Sequence, residues 1–512
     1  MRRYDVIVIG GGHNGLATAA LLAGNGRSVV VLERRAVVGG LAVGEEFHPG
    51  FTSIGLLHDT TGFRPGLVEN LKLIEPPPVF VAQDPADGSG LLLHHDPALA
   101  AGEIEAHSAA DARRYDDYRR FIQRIRPFTR GLFDREPPAL TGDAASLWSL
   151  AGRGLALRRL GRSDMMELLR IAPMCLADWL NEWFETELLR CTLALPAIAG
   201  TRTGPWSPGT VANLLRLESM AGKAVAGGPK TVIDALEDAA RQRGVDIRVQ
   251  AEVRHIRTAD GAVVGVTLSD GETIDAGVVA ASCDPKQVFL KLLSPSVVTP
   301  KLNHQIDKLR CSGTTAKVDL ALRGPLRFAC REDLEIEHAR ICTTINDMER
   351  AFDETKYRRY SRQPVLDVFV PTVSTPRLAP DGQHVVSIVA HFAPYDLDSG
   401  WTDADRETLG DTVVATLGRY APELSSQVTA RQVLSPVDIE RRYGVTGGHI
   451  HHVEHALDQM LVRPAPQCAR YATPLGGLYL CGSGSHPGGG LTGAPGALAA
   501  VAVLRTASGP SN

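Results

Sequence analysis

Residues 4–15 read YDVIVIGGGHNG and residues 29–33 read VVVLE. Apolar run, glycine turn, alanine-rich stretch, second apolar run and closing acid, in that order, constrain the fold more than any other feature of the chain. They predict a strand, a phosphate turn, a helix from about Asn14 to Gly26 and a second strand, which is the opening unit of a parallel sheet. Gly10, Gly12 and Gly15 give G-x-G-x-x-G directly after the first strand. The spacing suits a tight turn, close approach of a pyrophosphate and packing of the helix on the sheet. The helix N-terminus then directs partial positive charge at that pyrophosphate. Glu33 closes the second strand, where a carboxylate accepts hydrogen bonds from both ribose hydroxyls and repels a 2′-phosphate, disfavouring NADP. The pair Gly39 and Gly40 lets the backbone approach a cofactor that continues past the pyrophosphate, which favours FAD over NAD.

The chain has 512 residues, 44% of them hydrophobic and 22% charged, enough for two or three cores in an ordinary globular protein. A net charge of −4 without a basic, aromatic-rich run argues against a nucleic-acid partner. The eight cysteines are scattered with no C-x-x-C, so they read as free thiols of a reducing compartment. The first strand starts by Tyr4, which leaves no room for a leader, and a cytoplasmic protein is expected. No apolar run reads as a membrane span. Apolar and basic residues mix at 155–160 and 165–171, a pattern shared by helices that touch a bilayer surface and by helices packed on their own domain.

Along the chain, residues 101–220 are dominated by helical periodicity, and 245–280 by short strands after the turn at Gly227 and Gly228. Strands such as Thr315–Leu322 and a helix from Asp403 follow, a mixture suited to a sheet that walls a pocket. Residues 477–496 (GLYLCGSGSHPGGGLTGAPG) then repeat the strand, glycine loop and helix order at the far end. Such a loop presents free backbone N–H groups to a phosphate or to the polar edge of a flavin. The expected fold is α/β. A discontinuous Rossmann-like FAD-binding domain comes from residues 1–60, 221–290 and 441–512. An α+β substrate-binding domain comes from 61–220 and 291–440, with 101–220 as its helical part.

These motifs, with EEFHPGF at 45–51, YGVTGG at 443–448 and CGSGSHPGGG at 481–490, resemble the phytoene desaturase branch of FAD-dependent oxidoreductases over nearly the whole chain. Within that branch the chain is most similar to the pyridine nucleotide-disulphide oxidoreductase domain-containing protein 2 group. The resemblance implies that the pyrophosphate lies over Gly10, Gly12 and Gly15, and the adenosine ribose on Glu33 with Arg35 nearby. It puts the flavin side along Gly39, Gly40, Leu41 and Ala42, and the adenine against the Val253 backbone. Gly482, Ser483, Gly489, Gly490 and Leu491 would line the ribityl chain and the flavin. The branch's desaturases pass a hydride from a carbon to the flavin.

Proton-transfer groups are densest at 449–455 (HIHHVEH). His449 and His451 would share one strand face, and His452 and His455 one helix face. No single element presents all four, so no metal is expected. His452 matches a histidine of the resembling group and is the preferred base. His486 either touches the flavin or orients the glycine loop through a backbone bond, and His58 is a weaker candidate. Cys481, at a strand end, reads as a buried thiol in preference to a covalent flavin link. The expected activity is removal of a hydride from an apolar or amine-bearing small molecule to FAD. The alternatives are a flavin-dependent isomerase and a non-redox, lipid-binding chaperone of the GDP-dissociation-inhibitor type. No second fingerprint for NAD(P)H is present, so oxygen, a quinone and a partner protein stand equally as electron acceptor.

Overall fold

A computed structural model describes residues 3–82, 90–138 and 144–507. The Ser/Gly/Pro tail from residue 508 lies outside the described residues. The strand Arg3–Ile9 is central to a seven-stranded sheet and pairs in parallel with Val29–Leu32 on one side and Thr273–Ala281 on the other. Asp246–Arg248 extends one edge in parallel; the antiparallel hairpin Val253–Ala259 and Ala262–Leu268 extends the other. Leu478–Leu480 joins in parallel beside Val279–Ala281, so three distant stretches of chain share one sheet.

Residues 6–9 and 29–32 are apolar on both faces because both faces are covered, as parallel sheets require. Val6, Val8, Val29 and Val31 pack with alanines of the helices His13–Gly24 and Ala494–Ala507. Ile7, Ile9, Val30 and Leu32 face a second core under the hairpin. The two helices meet closely: Thr18 Oγ1 donates to Asn14 O at 2.8 Å and lies 3.0 Å from Gly496 O.

A second sheet of seven strands runs in the order Val428–Leu434, Thr315–Leu322, His384–His391, Leu366–Phe369, His338–Ile341, Val79–Ala82, Gly90–Leu93. All neighbours are antiparallel except the pairing of His338–Ile341 with Val79–Ala82. One face is apolar, with Ala316, Val318, Leu320, Ile388 and Val368 packed under the helix Asp403–Gly418.

Beside the second sheet, whose Val81 and Leu91 join the same core, the helices from Pro97–Glu105 to Thr210–Met220 close around Tyr118, Trp179 and Leu189. Buried Asp111 links two of them. It accepts from the Glu185 and Thr186 N–H groups at 2.9 Å and from Thr186 Oγ1 at 2.6 Å, charge-assisted bonds roughly twice as strong as neutral ones. On the helix Ala144–Arg158, Leu147, Trp148, Leu150 and Leu155 are exposed. Among the described residues no helix is long and apolar enough to cross a membrane.

Candidate FAD site

The N-terminal turn is built from backbone that tolerates no side chain. A Cβ on Gly15 would lie 2.0 Å from Gly10 O, so only glycine lets the helix begin on the end of the strand. Nothing lies within 4 Å of a Cβ on Gly12, which leaves that side of the turn open to a ligand. Gly39 N donates to Gly11 O at 2.8 Å, and Gly39 takes a φ of 114° that only glycine adopts cheaply. Glu33 is buried and organises the turn: Oε2 accepts from Gly11 N and Oε1 from Arg35 N, both at 2.8 Å. An ionised carboxylate has about four acceptor positions, so room remains for ribose hydroxyls. Arg35 is ion-paired with Glu45, donates to Gly40 O at 3.1 Å and lies 4.8 Å over the Tyr443 ring. Val253 starts its strand two residues after Ala251, whose N–H bonds Glu33 O at 2.8 Å.

The C-terminal loop meets this turn directly. Asn14 Nδ2 donates to Ser483 Oγ at 3.2 Å across 469 positions of sequence. Gly482 lies against Ser282, whose N–H bonds Ile9 O at 2.8 Å. Leu491 packs in the same apolar cluster as Leu41 and Ala42, and Leu56 and Leu57 donate to Leu41 O at 2.7 and 3.2 Å. Gly490 meets the His13 ring through its backbone.

Two buried arginines, which carry no signal in the sequence, hold this loop from behind. Arg216 Nη1 donates to Gly489 O at 3.2 Å and its Nε to Asn213 Oδ1 at 2.9 Å. Arg463 Nη2 donates to Ser483 O at 3.1 Å and Val453 O at 3.0 Å, and its Nε to Gly484 O at 3.3 Å. Neither forms an ion pair among the described residues. Burial brings Arg216 down to about 9 and Arg463 to about 10; the neighbouring Arg463 charge adds to the fall at Arg216. By taking the loop's carbonyls they fix its course, while the Ser485 and Gly488 N–H groups bond within the loop at 2.9 and 2.8 Å.

The histidine segment 449–455 is a series of turns, with neither the strand face nor the helix face its spacing suggests. His449 lies 3.6 Å from the Glu454 carboxylate. His451 bonds Ala199 O at 3.0 Å and stacks on His455 at 4.4 Å. His455 Nε2 accepts the Gly489 N–H at 3.0 Å. A neutral imidazole has one acceptor nitrogen, so the 3.3 Å approach of Arg216 Nη2 to His455 Nδ1 is a contact of two donors. Three of the four histidines thus support the fold.

His452 differs. Its φ is 65°, a strained conformation for a residue with a large side chain, and its Cβ lies 3.7 Å from the position of a Cβ on Gly484. Burial, with His13 and Arg463 nearby, pushes its pKa down to about 3, so the ring is neutral. Its Nδ1 is buried without a hydrogen-bond partner among the described residues, as are His13 Nε2, Asn14 Oδ1 and, in the same segment, His449 Nε2 and His451 Nδ1, so it is the backbone that sets His452 apart. These orphaned atoms border the two glycine loops, and with the open side of Gly12 they fit a polar cofactor laid between them.

His486 also has both ring nitrogens without a hydrogen-bond partner among the described residues, but its ring is turned to the helical region. It is fully buried, and its ring lies against Phe133 at 6.1 Å in the helical region. His58 lies elsewhere again, stacked on Phe369 at 4.0 Å. Cys481 is a fully buried thiol pushed up to about 12 by burial. Lys317 is another residue that the sequence does not single out. Its ammonium is buried, bonds Ile54 O and pairs with Asp319 at 3.0 Å.

Comparison with known proteins agrees with this geometry. Residues 92–503 match the model of the flavin containing amine oxidoreductase family, and residues 8–62 that of an NAD(P)-binding Rossmann-like domain. The chain is 33% identical to mouse pyridine nucleotide-disulfide oxidoreductase domain-containing protein 2, over 98% of this chain and 93% of that one. It is 28% identical to one chain of the limonene dehydrogenase of Castellaniella defragrans, over 96% and 93%. An oxidoreductase from Methanosarcina mazei shares the fold at a TM-score of 0.62 and 17% identity, over 98% and 99% of the two chains. The chain belongs to the flavin containing amine oxidoreductase family, in its phytoene desaturase-like branch, and is an FAD-dependent oxidoreductase.

Proposed function

We propose that the chain is a dehydrogenase or desaturase of a small to medium apolar or amine-bearing organic molecule, with His452 as the residue that takes the substrate proton. FAD, once bound, supplies the hydride acceptor. The chain's residues bind and orient it: Glu33 at the ribose, Gly10, Gly12 and Gly15 at the pyrophosphate, Gly39 to Ala42 and Gly489 to Leu491 on the flavin side. One observation carries the assignment of His452. An orphaned ring nitrogen, held in a strained backbone between the two loops, offers a free lone pair to a substrate proton. The limonene dehydrogenase relative supports an apolar substrate, and the family's description supports an amine.

The test is His452→Gln. The variant is expected to keep its FAD and to lose about 10²–10⁴-fold in the rate of anaerobic flavin reduction by a working substrate. Reduction at the parent rate would remove His452 from the mechanism.

We read the compartment as the cytoplasm, which the eight free cysteines support. Cys191 and Cys342 are both buried, with their sulfurs 3.5 Å apart. Peripheral contact with an anionic bilayer is favoured by the exposed Leu147, Trp148, Leu150 and Leu155 beside Arg158, Arg159 and Arg162. No acid occurs between residues 144 and 163.

A further inference from the structure

One face of the second sheet is polar by sequence and nevertheless buried. Cross-strand register puts Thr315 opposite His391, Asp319 opposite Ser387, Phe369 opposite His338 and Asp367 opposite Arg340. Directly opposed residues share a face, and the residues between them fill the apolar core on the other side. Thr315, Lys317, Asp319, Asp367 and His391 are all buried. The segment from Ile54 to His58 covers them: Ile54 O takes the Lys317 ammonium, and the His58 ring stacks on Phe369, which stacks in turn on His338 at 4.2 Å. The same segment is bonded to Leu41 on the flavin side of the cofactor site.

Every charge on this face already has its counter-charge. Lys317 pairs with Asp319. Asp367 meets His338 Nε2 at 3.0 Å, Arg340 Nε at 3.1 Å and His391 Nε2 at 3.2 Å. The Arg340 charge and the two imidazoles outweigh burial and hold Asp367 well below the usual carboxylate range. An ionised carboxylate only accepts, so both rings carry a proton on Nε2, which leaves Nδ1 as the second hydrogen-bonding nitrogen of His391. That nitrogen has no partner among the described residues; nor has Thr315 Oγ1 across the strand pair, nor either nitrogen of His58. Phe392, next to His391, holds a φ of 63° while buried against Phe352, so a strained backbone fixes the position of His391.

These groups discriminate between ligands. An ion entering here finds no free counter-charge and loses its hydration. A hydrocarbon leaves these four atoms, and Asp319 Oδ2 beside its ion pair, without a hydrogen bond. A neutral group that both donates and accepts satisfies them. We infer that this face is the floor of the substrate site and takes the uncharged hydrogen-bonding group, an alcohol or a primary amide, of an otherwise apolar substrate. The inference rests on the oxidoreductase reading proposed above and narrows its substrate class.

The test uses the FAD-loaded protein titrated with hexan-1-ol, hexanamide, hexylammonium chloride and sodium hexanoate. The flavin difference spectrum and the thermal midpoint are read in parallel. The alcohol and the amide are expected to bind about tenfold or more tightly than either ion. Thr315→Val and His58→Phe, which keeps the ring stack, should each weaken hexan-1-ol about tenfold and leave FAD content and the ionic probes unchanged. Tighter binding of an ion, no response to any probe, or parent-like affinity of Thr315→Val for hexan-1-ol would each overturn the inference. A protein that holds FAD and ignores the alcohol refutes the floor alone. A protein without FAD refutes the oxidoreductase reading, and the midpoint shift with hexan-1-ol still decides the floor.

Discussion

Replacing Arg216 with methionine separates the folding role of a buried arginine from its role in shaping the cofactor loop. Burial, with the Arg463 charge beside it, lowers this guanidinium from 12.5 to about 9. At about 1.4 kcal/mol per unit, holding the charge there costs about 5 kcal/mol. Methionine removes that cost and fills most of the space. It also strips the donor from Gly489 O and from Asn213 Oδ1, two buried acceptors worth about 1–3 kcal/mol each when left unsatisfied, or about 2–6 kcal/mol together. The two sums nearly cancel, so Arg216→Met should melt within about 5 °C of the parent protein. The loop should not survive as well. With Gly489 O released, the backbone of at least one residue must be ordered again on binding, at about 1–2 kcal/mol, which weakens FAD about tenfold. Calorimetry and FAD titration of the apoprotein measure the two quantities. A drop in midpoint above about 15 °C with parent-like FAD affinity would refute the reasoning, because Arg216 would then hold the core and not the loop.

Other outcomes follow from the same contacts. Gly15→Ala drives a Cβ to 2.0 Å from Gly10 O and should abolish FAD retention on purification; a yellow variant would show that the turn is looser than described. Burial holds His13 at about 4 and His451, His452 and His486 at about 3, against 6.5 when exposed. The unfolded chain therefore binds protons near pH 6.5 that the folded chain refuses until about 3–4. Stability is full above about pH 7 and falls as pH drops through that window, by about 1.4 kcal/mol per ring at pH 5.5. An unchanged or higher midpoint at pH 5.5 than at pH 7.5 contradicts this. Because His452 is neutral well below pH 6, the free enzyme's rate profile should show no ionisation of this ring between pH 5 and 8, and an acid limb near 6.5 would point to a different base.

Local chemistry made the N-terminal half of the cofactor site legible. Gly10, Gly12, Gly15 and Glu33 sit within 24 residues of one another, and each answers to a turn, a close approach or a hydrogen bond formed inside one supersecondary unit. The strand Thr315–Leu322 was readable to its ends for the same reason, since alternation is local. What that alternation could not disclose is that the polar side of the strand is covered. Thr315, Lys317 and Asp319 look like a solvated face until residues 54–58, some 260 positions away, close over them. Arg216 and Arg463 carry no sequence signal at all, because an arginine on a helix or in a loop is ordinarily exposed. The histidine cluster misled through its spacing. Periods of two and three suggest strand and helix faces, but Gly447, Gly448 and His452 all take left-handed backbone and break the segment into turns.

The central claim is that two glycine loops from opposite ends of the chain hold FAD for hydride chemistry. The most direct test is the visible spectrum of the protein purified without added flavin, followed under anaerobic conditions as organic substrates are added. The account predicts an oxidised-flavin spectrum, FAD in the acid-released fraction, and bleaching by a working substrate in the absence of any other electron acceptor. A colourless protein that takes up no FAD, or product formation while the flavin stays oxidised, would contradict it.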